Sequence, residues 1–277
     1  MQRLLTRRPI LAYVSCCYAL TLLAWGGLLH WRGREPIDAL FEHPGSILLI
    51  YLGAGAPVLA ALTLSALAGG RAGLLHLMDR WRRWRAPLWV WIATLLPIAL
   101  PMLLLVLVFL AGGPSGAPVW PGWGAVVPPA SLLLILGGPL CEELGWRGYL
   151  QPRLLGRVRP WQTALLIGTI WCFWHVPLSF TPGTTPPLAT ASDWAIYWLG
   201  MVSSSALLIG LLSACRGSVP VAMAYHWAGN ASDQIVRPLW PNADPQVWAT
   251  LAPLELALRT ILAVAMLACL ARTAARP

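Results

Sequence analysis

Six polar side chains of types that carry chemistry interrupt long apolar stretches. They are Glu142, Glu143, Arg147, His175, His226 and Asn230. A carboxylate and an imidazole can each accept and return a proton, and an imidazole beside a carboxamide can donate hydrogen bonds to a developing negative oxygen. Such a set could join helices, form a transport path or form a catalytic site. Ionisable groups inside membrane segments are costly and usually mark a functional site.

The spacing of these residues determines which side chains can meet. Glu143 and Arg147 are four residues apart, so they can form an ion pair on one helix face. Glu142 points about 100° away from Glu143, which leaves it free for chemistry. His226 and Asn230 are also four residues apart and can project into one cavity.

Each group also has a structural interpretation. A lone buried histidine such as His175 commonly packs and forms a hydrogen bond, and an asparagine such as Asn230 commonly joins helices. A Glu–Arg pair can be a clamp between helices. Cys141 precedes Glu142, but no activating cation is evident beside it, so we interpret it as a buried, inert thiol. The convergence of several such groups favours a functional site over separate packing roles.

The elements that must position these residues are membrane helices. The chain has 277 residues, of which 58% are hydrophobic and 10% charged, and its mean hydropathy is +0.66. A soluble domain carries about 25% charged residues. The net charge of +9 comes from arginines that lie between apolar runs, where membrane topology explains them better than nucleic acid does. We therefore predict membrane lipid, and no nucleic acid, as a partner.

Apolar runs of about 20 residues predict an all-α fold, a polytopic bundle of about eight transmembrane helices with a buried polar site. The runs lie near 10–29, 46–68, 87–111, 127–151, 160–177, 193–214, 217–236 and 248–270. No internal repeat or second domain is evident, so we predict a single membrane domain over residues 1–277. The first run is long and lacks a small-residue cleavage site, which favours a retained helix over a signal peptide.

Arginines alternate between the loops that connect these runs. One set of loops holds most of them: Arg3, Arg7, Arg8, Arg71, Arg80, Arg82, Arg83, Arg85, Arg153, Arg157, Arg159, Arg216, Arg272 and Arg276. The opposite loops hold Arg32, Arg34 and Arg237. This alternation predicts a multi-pass protein of the cell membrane with both termini cytoplasmic. Counting about 1.5 Å per residue from these arginines puts Glu142 and both histidines at overlapping depths in the bilayer.

Three motifs resemble those of the CAAX protease and bacteriocin-processing (CPBP) family of intramembrane proteases, which includes the type II CAAX prenyl endopeptidases. The family pattern is EExxxR, then F/WxxxH, then HxxxN/D, each on its own helix. This chain has EELGWR at 142–147, WCFWH at 171–175 and HWAGN at 226–230. The resemblance covers about residues 125–235, which we predict to be the protease core.

The resemblance implies an intramembrane endopeptidase with defined roles for these residues. Glu142 would activate the attacking water, assisted by His175. His226 and Asn230 would stabilise the oxyanion of the tetrahedral intermediate. The implied substrate is a membrane-associated or prenylated protein or peptide, and the sequence alone does not choose between these.

Two residues beside the proposed catalytic set would support it, and three of the site residues could bind a metal ion. The resemblance implies that Arg147 holds the glutamate pair in place, with Glu143 supporting. Glu142, His175 and His226 form a two-histidine, one-carboxylate set that could hold Zn²⁺ with an open position for water. The family has been described both as metalloproteases and as glutamate-dependent enzymes without a direct metal, so the resemblance leaves the cofactor open.

Two other functions compete with proteolysis. A proton- or cation-coupled transporter could use Glu142 and the histidines as a relay, but that hypothesis predicts repeat symmetry and broken helices in corresponding halves. A non-catalytic immunity or scaffold protein of the membrane could keep the fold while binding a partner. The intact set of motifs favours the protease.

Overall fold

The computed structural model describes residues 7–126, 129–184 and 190–274, and within these ranges all regular structure is helical. The principal helices are α1 (Pro9–Arg32), α2 (Pro44–Ala54), α3 (Ala56–Trp81), α4 (Leu96–Leu110), α5 (Pro129–Gly137), α6 (139–155), α7 (Pro160–Trp174), α8 (Ala191–Ala214), α9 (Val219–Val236) and α10 (Pro245–Ala274). Short helical turns lie at Ile37–Leu40, Leu88–Ala93, Trp123–Val126, Leu178–Phe180 and Arg237–Leu239. The prediction of an all-α bundle is confirmed.

Each of the eight predicted apolar runs contains helix, but three of them are broken. The second run divides into α2 and α3, the third into Leu88–Ala93 and α4, and the fourth into α5 and α6. Five of the described helices are long and apolar enough to cross a membrane, namely Pro9–Arg32, Ala56–Trp81, Pro160–Phe180, Ala191–Ala214 and Pro245–Arg272. The protein is therefore a multi-pass helical membrane protein. The number of eight crossings and the cytoplasmic termini stay predictions, and residues 1–6, 127–128 and 275–277 lie outside the described ranges.

Local sequence signals explain where the site-bearing helices begin. Pro139 and Pro160 lie in the first turns of α6 and α7, where a proline costs no hydrogen bond because that N–H would have no helical partner. Ser218 caps α9, since its hydroxyl accepts a hydrogen bond from the backbone N–H of Val221. These starts place the three motif-bearing segments on separate helices.

Small residues let the motif helices approach their neighbours closely. A Cβ on Gly168 of α7 would lie 2.5 Å from the Cα of Val202 on α8, and one on Gly145 of α6 would lie 2.4 Å from the backbone oxygen of Pro57 on α3. Close contacts of this kind stabilise helix pairs in membranes through packing. They fix α6 and α7 against α3 and α8.

Helix α6 runs through the interior of the bundle. Residues Leu144–Leu150 form a widened, π-helical segment in which all seven residues are buried. Aromatic rings from two other helices, α1 and α7, pack against rings of this segment. The ring of Tyr13 contacts those of Trp146 and Tyr149 at 5.8 and 5.0 Å, and the Trp146 ring lies 5.8 Å from that of Trp174. π-helical segments frequently occur at functional sites.

The basic segment 80–85 is tied to the turn between α8 and α9. Arg83 donates hydrogen bonds to the backbone oxygen of Arg216 and to the Asp79 carboxylate. The Ser218 hydroxyl donates to the backbone oxygen of Arg83. Since Ser218 also caps α9, these contacts connect the start of that helix to the end of α3.

Candidate active site

The Glu142 carboxylate is held by two tryptophan side chains. Its Oε2 accepts a hydrogen bond from Trp171 Nε1 at 2.8 Å and another from Trp146 Nε1 at 3.2 Å. Glu142 is 4% exposed and both indoles are buried. In the described part of the chain no residue donates to the other oxygen, Oε1, and this oxygen is not among the fully enclosed unpartnered atoms. One carboxylate oxygen is therefore anchored and the other is available.

Glu143 forms a separate charged group on the other side of α6. Its Oε1 lies 3.1 Å from the Arg147 guanidinium and 2.8 Å from His226 Nδ1. Glu143 and Arg147 are almost completely buried, and Arg147 also donates to Ser205 Oγ on α8 at 3.3 Å. The predicted Glu143–Arg147 ion pair is present. Two adjacent acids thus have different sets of partners, as their angular separation on the helix requires.

His226 and Asn230 face one point beside the break between α5 and α6. A Cβ added to Gly138 would lie 2.7 Å from Asn230 Nδ2 and 3.3 Å from His226 Nε2. Because His226 Nδ1–H donates to Glu143, Nε2 is the nitrogen directed toward Gly138. Asn230 is exposed at the edge of this region. Two nitrogen groups from α9 therefore flank a backbone position that has no side chain.

His175 borders this network at the end of α7. Its Nδ1–H donates to the backbone oxygen of Trp171 at 2.8 Å, which leaves the Nε2 lone pair available. The imidazole contacts the rings of Trp174 and Tyr197 at 4.7 and 5.7 Å. No hydrogen bond joins His175 to Glu142 among the described residues, although His226 lies within electrostatic range of both.

The structure brings the predicted residues together to different degrees. Arg147 and His226 are each bonded to Glu143. Glu142 joins them through Trp171, whose ring lies 4.5 Å from the Arg147 guanidinium and 5.1 Å from the His226 ring. The remaining predicted residues, His175 and Asn230, lie beside this group but form no hydrogen bond with the other four predicted residues in the described part of the chain.

Four further residues contact the site, although the sequence did not assign them to it. They are Gly138, Trp146, Tyr197 and Ser205. Trp146 is four residues from Glu142, so the i,i+4 rule could have found it. Gly138 precedes Pro139, a pair typical of a helix boundary. Tyr197 and Ser205 lie on α8, and nothing in their spacing to the motifs indicates the contact.

The cysteines include Cys141, which directly precedes Glu142 in the sequence. All six are free. Cys141 Sγ donates a hydrogen bond to the backbone oxygen of Leu136 at 2.9 Å. This contact ties the thiol to the end of α5.

The predicted zinc ligands do not form a cage. Within residues 7–126, 129–184 and 190–274, no group of three or more histidine, cysteine, aspartate or glutamate side chains is arranged to hold a metal ion. Glu142 Oε2 is occupied by two indole donors, and the Nδ1 atoms of His175 and His226 are each hydrogen-bonded. These bonds leave Glu142 Oε1 and the Nε2 atoms of both histidines unbound, but these atoms form no group that could hold a metal ion within the described ranges, so the metalloprotease prediction is not supported.

The fold and the site define a multi-pass helical membrane protein with a carboxylate, imidazole and guanidinium network between its helices. Residues 123–232 match the family described as "Type II CAAX prenyl endopeptidase Rce1-like". Over 111 residues the chain is 27% identical to "CAAX prenyl protease 2" of Methanococcus maripaludis, an alignment that covers 39% of this chain and 41% of that relative. The matched segment contains all three motifs. Over these residues the chain is similar to the Rce1-like family, which confirms the resemblance predicted from the motifs.

Proposed function

We propose that this protein is an intramembrane endopeptidase that hydrolyses a peptide bond of a membrane-associated protein or peptide. The observation that carries the proposal is a carboxylate with one anchored and one available oxygen, next to a buried histidine that a second carboxylate holds. Both lie in the segment that matches the Rce1-like family. A carboxylate can take a proton from water as the water attacks a carbonyl carbon, and a nearby hydrogen-bond donor can stabilise the negative oxygen that forms.

In the first step Glu142 acts as the general base. Its Oε1 takes a proton from a water molecule as the water oxygen forms a bond to the carbonyl carbon of the substrate. The free Nε2 of His175 accepts the second hydrogen bond of that water and orients it. This pair of acceptors aligns the water before attack, and alignment supplies much of the catalytic effect.

In the tetrahedral intermediate the former carbonyl oxygen carries the negative charge. The Asn230 carboxamide and His226 Nε2–H donate hydrogen bonds to it beside Gly138. His226 donates from both nitrogens in its imidazolium form, and the Glu143 carboxylate on Nδ1 balances that charge. Removing one donor of this type typically costs about 10²–10³ in kcat.

Collapse of the intermediate completes the reaction. The carbonyl is re-formed, the C–N bond breaks, and the proton held by Glu142 moves to the leaving nitrogen. The products are an amine and a carboxylic acid, and Glu142 returns to its starting form. Arg147 takes no part in proton transfer; it holds Glu143, which in turn orients His226.

The finer proposal concerns the substrate. The relative from Methanococcus maripaludis is named a CAAX prenyl protease, and the site here lies among apolar helices that lipid would surround. We therefore propose a lipid-anchored or prenylated peptide end as the substrate of this chain. A lipid anchor would hold the scissile bond at the depth of Glu142.

Reconstitution in nanodiscs with fluorescence-quenched peptides tests the proposal. Matched peptides with and without a prenyl cysteine are compared, and mass spectrometry identifies the cleaved bond. We expect cleavage by the wild type and its loss in Glu142→Gln, with strong reduction in His175→Ala and His226→Ala. Glu255→Gln is the matched control, because Glu255 pairs with Arg259 on α10 and, in the described part of the chain, bonds to none of the proposed site residues. Cleavage by Glu142→Gln at the wild-type rate would contradict the proposal.

A further inference from the structure

The structure assigns Trp146 and Trp171 a positioning role: their two indole N–H groups bind one oxygen of Glu142 and so aim the other at the water. This inference rests on the proposed function and extends it to residues that donate to the base without contacting the substrate. Trp146 belongs to the same helix as Glu142, and Trp171 belongs to α7. The carboxylate is therefore held from two helices.

Tryptophan is suited to this role because of its donor inventory. The indole offers a single N–H donor and no acceptor, so it can bind a carboxylate oxygen without competing for the proton that Glu142 must transfer. Hydrogen bonds to an ionised acceptor are also stronger than those between neutral groups. Two such bonds at 2.8 and 3.2 Å to Oε2 restrict rotation of the carboxylate about its terminal bond, which is otherwise a broad torsion.

Packing prevents either indole from turning away. Trp146 is 0% exposed and its ring meets those of Tyr13 and Trp174 edge-on. Trp171 lies between the Arg147 guanidinium, 4.5 Å from its ring centre, and the His226 ring, 5.1 Å away. The orientation of Glu142 is thus set by rings that are themselves fixed, and Trp171 couples that orientation to the Glu143 group.

The test replaces each indole by a ring that cannot donate. Trp146→Phe and Trp171→Phe each remove one hydrogen bond to Glu142. Trp25→Phe is the matched control, because Trp25 is also buried and its Nε1 donates to the backbone oxygen of Ile50 at 3.0 Å. We expect kcat to fall about tenfold in each site variant, the effect of losing one hydrogen bond to a charged group, with KM changed less than twofold. We expect Trp25→Phe to retain wild-type kinetics.

A spectroscopic signal separates positioning from general damage. Infrared difference spectra between each protein and the same protein carrying Glu142→Gln isolate the Glu142 carboxylate bands. These bands should shift in Trp146→Phe and Trp171→Phe and stay in place in Trp25→Phe. A fall in kcat without a band shift would overturn the inference, as would unchanged kcat and bands.

Two features keep the test decisive. The Trp171 ring also lies against the Arg147 guanidinium, whereas the Trp146 ring has no such contact among the described residues, so the same result from both variants traces the effect to Glu142. If one variant fails to fold, the other still carries the measurement. The band shift needs no turnover: a shift in a protein that cleaves no peptide would reject the proposed function and leave the hydrogen-bonding clamp established.

Discussion

Glu143 and His226 are joined by a 2.8 Å hydrogen bond between α6 and α9, across 83 residues of sequence. The same glutamate oxygen lies 3.1 Å from Arg147. One buried carboxylate therefore compensates a guanidinium and directs an imidazole. Because Nδ1 of His226 is occupied in this way, its Nε2 is the atom that faces Gly138 and Asn230. The second acid of the motif thus positions the histidine, while the first has tryptophan donors on one of its oxygens.

The losses of stability from removing Glu143 and from removing Arg147 should be less than additive. Glu143→Ala leaves the Arg147 charge buried without its carboxylate, a change that typically costs about 3–5 kcal/mol. We expect a markedly lower thermal midpoint in detergent for Glu143→Ala and for Arg147→Ala, with the double variant less affected than the sum of the two.

The same double-mutant comparison at Glu255 and Arg259 is the control. Their charged atoms are 3.8 Å apart and their side chains are about 20% exposed. Their coupling should be near the surface value of about 0–1 kcal/mol. Additive losses at Glu143 and Arg147 would show that the two side chains do not act as one group.

Gly138 should tolerate no side chain. A Cβ there would lie 2.7 Å from Asn230 Nδ2 and 3.3 Å from His226 Nε2, so Gly138→Ala must displace the groups proposed to bind the oxyanion. We expect kcat to fall by about 10²-fold, the usual loss for one donor of this kind, and the measurement is peptide cleavage by the purified protein.

The neighbouring Gly137 provides the control, since a Cβ there meets only the ring of Tyr51 at 3.9 Å. Gly137→Ala should cleave as the wild type does. In an Asn230→Ala background, Gly138→Ala should cost little more, because the crowded carboxamide is already gone. If Gly138→Ala lowers kcat by the same factor with and without Asn230→Ala, its effect does not come from displacing the Asn230 carboxamide.

The sequence predicted the helices and the chemical groups, because both depend on local patterns. Apolar runs give membrane helices, and four-residue spacing gave the Glu143–Arg147 pair that the structure contains. The different orientations of Glu142 and Glu143 also follow from helix geometry alone.

Contacts between helices could not be predicted in the same way. The bond from Glu143 to His226 depends on how α6 and α9 are rotated against each other, which hydropathy does not report. Trp146 counts as an apolar residue in any hydropathy pattern, so its donor N–H was overlooked. The helix break at Gly138 lies inside a continuous apolar run. Composition predicts that such a run is buried, but it does not show where the helix is interrupted.

Metal removal should leave cleavage unchanged. The described residues, Glu142, His175 and His226 among them, form no group of side chains that could hold a metal ion. We expect the purified protein to keep its cleavage rate after treatment with 1,10-phenanthroline and dialysis. Loss of cleavage that added Zn²⁺ restores would contradict the mechanism and return these three side chains to a ligand role.

Gly145 should control how closely α6 approaches α3. A Cβ on this residue would lie 2.4 Å from the backbone oxygen of Pro57 and 2.5 Å from the Tyr13 hydroxyl, and neither neighbour can move freely because both are buried. Overpacking of this kind typically costs about 1–3 kcal/mol, so Gly145→Ala should lower the thermal midpoint. Activity should fall too, since a shift of α6 moves Glu142 away from Trp171 on α7, whereas Gly124→Ala, which meets no atom within 4 Å, should change neither. An undisturbed midpoint with full cleavage in Gly145→Ala would mean that the site does not depend on the close packing of α6 against α3.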